Sequence, residues 1–188
     1  MMKLMKKIQL HNKNFELYLP AKKIKERLEE MATSLQKDLQ NKDLVFLVIL
    51  NGAFIFAADF IRQINSPCKV TFVKVASYQG EKTSGKVDNL IGIAENLAGK
   101  CVVILEDIID TGLSMDHVVE MLKSHNPSEI KIVALLFKED AHEGMHKPDY
   151  AGFVIPNRFV VGYGLDFDGA GRNLSDIYIL SQTENDNL

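Results

Sequence analysis

Cysteine and net positive charge are both scarce in this chain of 188 residues. Cys68 and Cys101 lie among apolar residues without a framework of spaced cysteines, which predicts buried, reduced thiols in a reducing compartment. The formal net charge is −3, whereas proteins that bind the phosphate backbone are usually strongly basic. The composition therefore argues against nucleic acid as a partner.

A membrane-length apolar run is also missing. The nearest candidate, residues 44–61, contains Asn51, Gly52 and Asp59, so it is better interpreted as a strand, a turn and a helix. Residues 1–10 are basic but too interrupted by Lys and Gln for a signal peptide. We therefore expect a cytoplasmic protein with no membrane partner.

What remains is the composition of one globular domain. Apolar residues make up 46% of the chain and charged residues 25%, and 188 residues suffice for a full hydrophobic core. We find no internal repeat, linker or low-complexity stretch, and expect a single domain over residues 1–188.

Apolar periodicity predicts alternating strands and helices. Ile24, Leu28, Met31, Leu35 and Leu39 form a helical stripe opened by Pro20. Strands are predicted at 44–50, 69–76, 90–94, 101–106, 130–137 and 176–180, with β-like pieces in 150–163, and further helices at 53–64 and from 115 to the break at 126–127. Such alternation indicates an α/β fold with a mainly parallel, twisted sheet flanked by helices. Ligands bind at the carboxyl ends of such strands, where residues 51–52, 107–114 and 138–140 should meet.

The richest stretch for chemistry is 101–114. A buried apolar run ends in Glu106 and Asp107, which are costly to desolvate unless a cation or a hydroxylated ligand meets them. The turn Thr111-Gly112-Leu113-Ser114 then opens a helix, where backbone N–H groups and the helix dipole favour an anion. Together these features predict a sugar phosphate held with Mg²⁺.

Residues 102–114 resemble the phosphoribosyl-pyrophosphate motif of type I phosphoribosyltransferases, and most closely its hypoxanthine-guanine branch. Residues 77–78, 138, 147–150, 159–166 and 172 match further family features in the expected order. The resemblance implies the type I fold, with a core at about 20–145 and a small hood from the N-terminal segment and about 146–188. It also implies transfer of ribose 5-phosphate from phosphoribosyl pyrophosphate to hypoxanthine, and to guanine, and a homodimer or homotetramer.

The resemblance assigns roles on the ribose phosphate side. Glu106 and Asp107 would contact the ribose hydroxyls and Mg²⁺, and Asp110 would be the general base at purine N7. The 5′-phosphate would lie on Thr111, Gly112, Leu113 and Ser114. An ordinary alternative for Asp110 is an acid that interacts with the helix dipole.

The remaining roles concern the base and the pyrophosphate. By resemblance, Phe159 would stack on the purine, Val160 would read its edge through the backbone, and Lys138 would donate to the 6-oxo group. Asp166 would be a second metal contact and Arg172 a pyrophosphate clamp. Ser77 and Tyr78 would open a mobile active-site loop over 77–88. Most of these residues also have a purely structural alternative. Phe159 could be a core residue, Lys138 a solvated lysine at a strand end, and Asp166 and Arg172 ordinary surface residues. The segment 77–88 could be an ordinary surface loop.

Two positions depart from the family pattern. In the family, the loop after the first strand of the core often carries Lys-Gly, joined by a cis peptide whose amide contacts pyrophosphate. This chain has Asn51-Gly52 there, so the backbone contact remains possible but the charge of the lysine is missing. Leu113 replaces a residue that is often basic. His142 and His146 are four apart but lie in a predicted loop, so we expect no metal site there.

Two other functional classes compete with the enzyme. One is a non-catalytic regulator that keeps this fold to sense nucleotides, which the acidic charge and intact Asp110, Lys138, Phe159 and Arg172 disfavour. The other is a phosphotransfer receiver with Mg²⁺ on Glu106 and Asp107, which would leave the Thr-Gly-x-Ser turn without a role.

Overall fold

The computed structural model describes residues 6–75, 89–91, 93 and 95–181. In chain order the strands are β1 (Lys7–Leu10), β2 (Lys13–Leu19), β3 (Leu44–Leu50), β4 (Lys69–Val75), β5 (Asn89–Ile91), β6 (Cys101–Ile109), β7 (Glu129–Phe137), β8 (Tyr150–Val154), β9 (Val160–Val161) and β10 (Ile177–Leu180). The helices are α1 (Ala21–Asp38), α2 (Phe54–Ile61) and α3 (Leu113–Lys123), with a 3₁₀ turn at Glu139–Ala141.

The larger sheet has the strand order β5-β4-β3-β6-β7-β8. Strands β4, β3, β6, β7 and β8 are parallel to their neighbours, and β5 lies antiparallel at one edge. Helices α1 and α2 cover one face and α3 covers the other, so the central strands are buried on both faces. Their continuous apolar sequences follow from this double burial. The predicted α/β class and mainly parallel sheet are confirmed.

Helix α1 connects β2 of the smaller sheet to β3 of the larger sheet. Its apolar stripe, predicted from the sequence, is buried against the sheet at Ile24, Leu28, Met31 and Leu35. Pro20 stands at its N-cap with an extended backbone, one residue before the first turn in which the sequence placed it. On its outer side, Arg27 donates to the backbone carbonyls of β8, so the helix also covers the edge strand of the larger sheet.

A smaller antiparallel sheet is built from both ends of the chain, in the order β1-β2-β10-β9. It has a separate core of Phe15, Val161, Tyr178 and Leu180. The hairpin β1–β2 was not predicted from the sequence, although Phe15, Leu17 and Leu19 alternate as strand residues do. The sheet covers the carboxyl end of the larger one from the α1 and α2 side.

The structure corrects two predicted boundaries. The helix expected over 53–64 ends at Ile61. Beyond it, the backbone N–H groups of Gln63 and Ile64 donate to the carbonyls three residues earlier, Phe60 and Ile61, as in a 3₁₀ turn. The strand expected to end at residue 106 continues to Ile109, because Glu106–Ile109 keep pairing with β7.

Two further observations bear on the predictions. Ser77 and Tyr78, with the whole loop expected over 77–88, lie outside the described residues. Among the residues that the structure does describe, no helix has the length and apolar character needed to cross a membrane.

Candidate active site

A cavity of about 400 Å³ opens at the carboxyl ends of β3, β6 and β7. Segment 159–172, which follows the larger sheet in sequence, closes its other side. Most of the residues predicted from the sequence line it: Gly52, Glu106, Asp107, Asp110, Thr111, Gly112, Ser114, Lys138, Phe159, Val160, Asp166 and Arg172. Asn51 and Leu113 do not line it, and the side chain of Leu113 is exposed. The parallel sheet and segment 159–172 therefore bring residues from four separate parts of the sequence to one pocket.

The acidic pair occupies the floor of the cavity. Asp107 is buried and Glu106 is half-buried, on adjacent positions of β6. Burial raises the pKa of Glu106 well above its ordinary value, and the neighbouring Asp107 carboxylate raises it further. A Cβ on Gly52 would lie 1.7 Å from Asp107 Oδ2, so only glycine fits beside this carboxylate. The pair is costly when empty and suits a cation.

Lys138 and Asp110 form the central ion pair of the cavity. Lys138 is buried at the end of β7 and its Nζ donates to Asp110 Oδ2 at 2.6 Å. Asn157 Oδ1 accepts a second, longer bond from the same nitrogen at 3.4 Å. An ammonium group has three donors, so one hydrogen of Lys138 stays available for a ligand. Asn157 was not predicted from the sequence, because its partner lies 19 residues away.

The turn 110–114 lies at the cavity, where helix α3 begins. Gly112 is the N-cap of α3 with φ 85°, a conformation that L side chains rarely adopt. The first-turn N–H groups of a helix have no intrahelical partner and attract anions. Thr111 and Ser114 are exposed beside them, with hydroxyl groups that can add to an anion site.

Phe159 forms the aromatic wall of the cavity. Its side chain is partly exposed, and its ring lies edge-on to Phe167 with centroids 5.7 Å apart. Phe15 of β2 supports it from behind at 6.4 Å. Neither supporting ring was predicted, and Phe15 lies in the hairpin β1–β2, which was not predicted either. An exposed ring held by two others can stack on a flat ligand.

Further along segment 159–172, the cavity wall carries a second ion pair. Arg172 pairs with Asp166 at 2.7 Å and donates to the carbonyl of Gly164 at 2.8 Å. Asp166 also accepts from the backbone N–H of Gly169 at 2.8 Å. Next to this wall, a cis peptide joins Leu50 to Asn51, one bond earlier than the Asn51-Gly52 bond considered from the sequence.

Tyr163 fixes the start of this wall. It has φ 54°, between Gly162 and Gly164, which also have positive φ. Its hydroxyl donates to Asp59 of α2 at 2.6 Å, and burial together with this carboxylate raises its pKa. A Cβ on Gly164 would lie 2.1 Å from the carbonyl oxygen of Gly52, so the two loops touch through glycine.

A divalent cation fits the donors at this site. Among the described residues there is no cluster of three or more His, Cys, Asp or Glu side chains that could enclose a metal. Mg²⁺ usually binds one or two carboxylates together with water and substrate phosphates, so it does not need such a cluster. Glu106 and Asp107, with Asp166 across the cavity, are the residues suited to hold it.

The parallel sheet, the acidic pair and the anion-binding turn define a phosphoribosyltransferase domain. A family model described as a phosphoribosyl transferase domain matches residues 16–168. A relative in Canis lupus familiaris, a hypoxanthine-guanine phosphoribosyltransferase, is 34% identical over 178 residues, covering 89% of this chain and 82% of that one. The enzyme of the same name from Aquifex aeolicus (strain VF5) is 33% identical, covering 92% and 98%.

The solved structures agree. A hypoxanthine phosphoribosyltransferase from Staphylococcus aureus superposes with a TM-score of 0.84 at 35% identity, covering 88% of this chain and 91% of that one. The chain belongs to the hypoxanthine-guanine phosphoribosyltransferase family. The resemblance that was noted on residues 102–114 and the type I fold expected from it are confirmed.

Proposed function

We propose that this chain is a purine salvage enzyme. It transfers the 5-phosphoribosyl group from phosphoribosyl pyrophosphate to N9 of hypoxanthine, and of guanine, giving IMP or GMP and pyrophosphate. The observation that carries the proposal is the contact of 2.6 Å between Lys138 Nζ and Asp110 Oδ2, between the phosphate turn and the exposed ring of Phe159. A donor and an acceptor side by side match the 6-oxo and N7–H groups of such a base.

The ribose phosphate is bound along β6 and the start of α3. The N–H groups of the turn 111–114 receive the 5′-phosphate, with Leu113 contributing only its backbone. Glu106 and Asp107 receive the 2′ and 3′ hydroxyls, either directly or through a metal-bound water. This arrangement supports one orientation of the sugar, with its anomeric carbon toward Asp110 and Phe159.

The base reacts from the opposite side. Asp110 accepts the proton of purine N7 as N9 attacks the anomeric carbon and the bond from that carbon to the pyrophosphate oxygen breaks. Positive charge builds up on the ribose ring at this point, as in glycoside hydrolysis. Lys138 donates to the 6-oxo group, and the 6-amino group of adenine cannot accept that bond. Val160 reads the base edge through its backbone.

The leaving pyrophosphate lies between Gly52 and Arg172. Mg²⁺, when bound, would neutralise the charge of the pyrophosphate and so make it a better leaving group. Glu106, Asp107 and Asp166 are the residues that would hold this ion. Arg172 adds a fixed positive charge, and the backbone at Asn51-Gly52 takes the place of the lysine that is frequent there. Ser77 and Tyr78 stay predicted substrate contacts of the segment outside the described residues.

The hood, the cellular location and the assembly are part of the proposal. The hood consists of the N-terminal segment and about 146–188, over the core at about 20–145, although β8 within that range pairs with β7 in the larger sheet. The protein is cytoplasmic, as expected for salvage of free bases. Phe54 on α2, with Val70 and Phe72 on the same side of β4, are exposed apolar side chains that a homodimer or homotetramer would cover.

The decisive experiment incubates the protein with phosphoribosyl pyrophosphate, Mg²⁺ and one base at a time. Hypoxanthine and guanine should yield IMP and GMP with equimolar pyrophosphate, and adenine should not react. A matched reaction with EDTA should be inactive. Binding of phosphoribosyl pyrophosphate without turnover of any base would instead favour the alternative, a non-catalytic nucleotide-sensing regulator of this fold.

A further inference from the structure

The segment that follows Lys138 lies behind the phosphate turn. The N–H of Lys138 donates to the carbonyl of Ile109, and the N–H groups of Glu143 and Gly144 both donate to the carbonyl of Thr111, each at 2.9 Å. Glu143 and Gly144 do not line the cavity, so they contact the turn from outside the cavity lining. The turn is therefore part of a double layer, in which residues 138–146 support the residues that meet the ligand.

His142 makes the closest approach to Gly112. A Cβ on Gly112 would lie 2.3 Å from Cε1 and 2.6 Å from Nδ1 of the His142 ring. The ring thus occupies the space that any side chain at this position would need. On its other side it packs edge-on against Phe137 of β7, with ring centroids 5.3 Å apart. The imidazole ring is therefore packed between Phe137 of the larger sheet and Gly112 of the phosphate turn.

Hydrogen bonding does not explain the place of this ring. Both nitrogens of His142 are buried and have no partner among the described residues. Burying unpaired donors and acceptors is unfavourable, so such a group needs a reason. His142 does not line the cavity. The interaction that the ring does make is steric packing against Gly112.

Asp116 fixes the far end of the supporting segment. This residue, in the first turn of α3, accepts from the N–H groups of Met145 and His146 at 2.8 and 3.0 Å. Nδ1 of His146 lies 2.7 Å from the same carboxylate. Although burial raises the pKa of Asp116, these hydrogen bonds outweigh it and lower the pKa. The segment is therefore held at both ends, with His142 pressed onto Gly112 between them.

We propose that His142 is a positioning residue for the 5′-phosphate. Its ring fills the place of the missing Gly112 side chain and keeps the turn 111–114 in the conformation that directs its N–H groups at the phosphate. This inference depends on the proposed function, because it takes the turn as the phosphate site. It adds a residue that acts through Gly112 without touching the substrate.

The test compares a ligand that has the phosphate with one that lacks it. IMP and inosine share base and ribose and differ only in the 5′-phosphate, and calorimetric titration of each requires no turnover. In His142→Ala the Kd for IMP should rise about tenfold, below the roughly hundredfold rate loss that a misplacement of about 1 Å can cause. The Kd for inosine should stay unchanged. In turnover, KM for phosphoribosyl pyrophosphate should rise and kcat should hold.

Two variants serve as controls. His142→Leu keeps a comparable volume without ring nitrogens, so it should bind IMP as the parent protein does. His125→Ala removes a histidine beyond the far end of α3, and should change neither ligand. Circular dichroism and Tm report whether each variant is folded. If His142→Ala does not fold, the comparison of His142→Leu with His142→Asn, which is smaller and polar, replaces it.

The outcomes separate the inference from the function. If the parent protein and His142→Ala bind IMP equally well, the positioning role is overturned and the proposed function stays intact. Equal losses for IMP and inosine would also overturn it, since they would report general damage. A His142→Leu variant that fails like His142→Ala would contradict support by packing. Parent protein that binds neither IMP nor phosphoribosyl pyrophosphate would overturn both proposals.

Discussion

Glu106 and Asp107 show how the site is maintained at the scale of single residues. Burial at the end of the strand, followed by the charge of the adjacent Asp107 carboxylate, raises the pKa of Glu106. Keeping both carboxylates charged therefore lowers the stability of the free protein. Strongly perturbed carboxylates of this kind cluster at functional sites. Gly52 leaves room for Asp107, where a methyl group would overlap its carboxylate. The acidic pair is therefore unfavourable in the free protein, and a cation bound there would offset this cost.

Asp110→Asn tests the general base. Asparagine keeps the shape of the side chain and can still accept from Lys138, which lies 2.6 Å from the present carboxylate. It cannot take a proton from the base, so kcat should fall about 10²- to 10⁴-fold, the usual contribution of a positioned base. KM for phosphoribosyl pyrophosphate should change little. Steady-state kinetics with hypoxanthine gives both values.

The control for this variant is Asp140→Asn, which changes an exposed carboxylate in the 3₁₀ turn after Lys138. Its kcat should match that of the parent. Unchanged turnover in Asp110→Asn would rule out the base role, and a shared loss in both variants would point to the electrostatic environment instead.

The sequence was sufficient to place residues of one continuous stretch at the cavity that they line, while their roles stay predictions. Asp110, Thr111 and Gly112 could be predicted because strand, acid and turn are consecutive, so local spacing fixes their relation. Asn157 and His142 could not be predicted. Each acts through a contact with a residue distant in sequence, and their own residue types indicate nothing unusual. Their positions depend on how β7 and its following loop pack against the β6–α3 turn.

At the scale of elements, the central strands and the C-terminal strand β10 were predicted, and the N-terminal hairpin β1–β2 was not. Buried parallel strands such as β3 and β6 have continuous apolar sequences that stand out. The hairpin β1–β2 has a weaker pattern, because one of its faces meets solvent and its partner β10 lies at the other end of the chain. The extension of β6 to Ile109 depends on pairing with β7, which no local property of Glu106 and Asp107 indicates.

Tyr163→Phe tests whether α2 positions the pyrophosphate wall. The change keeps the ring and removes only the hydroxyl that donates to Asp59 at 2.6 Å. We expect a loss of about 1 kcal/mol in the free energy of unfolding, typical of one hydrogen bond. Because the strained Tyr163 begins the segment that carries Asp166 and Arg172, KM for pyrophosphate in the reverse reaction should rise about fivefold, a small misplacement effect. KM for IMP should not change.

Tyr150→Phe is the matched control for this prediction. Tyr150 of β8 donates to Asp38 at the end of α1, a bond of the same kind that is remote from the cavity. It should lose comparable stability in urea unfolding and keep its KM for pyrophosphate. If both variants raise that KM equally, the effect comes from stability alone and the positioning argument fails.

At the scale of the whole molecule, the two ends of the chain are joined at Asp176. Its carboxylate accepts from the N–H of Ala21, at the start of α1, at 2.9 Å and pairs with Lys6 at 2.8 Å. It also accepts from the hydroxyl of Tyr178 on β10 at 3.2 Å. The bond from Lys6, followed by that from Ala21, lowers the pKa of Asp176. One side chain thus joins the N-terminal segment, α1 and the smaller sheet.

The lowered pKa sets the direction of a pH dependence. A carboxylate whose pKa is lower in the folded state stabilises the protein at pH values above its unfolded pKa, about 3.9 for Asp, and this contribution is lost as the pH falls through the folded value. Asp176→Asn should therefore unfold more easily at pH 7, by about 1 kcal/mol, as for loss of a helix cap. The difference should shrink below about pH 4. Urea unfolding across pH measures it, with the exposed Asp168→Asn as the control that shows no difference at pH 7. A deficit that stays constant down to pH 3 would show that packing, and not the carboxylate charge, joins the two ends.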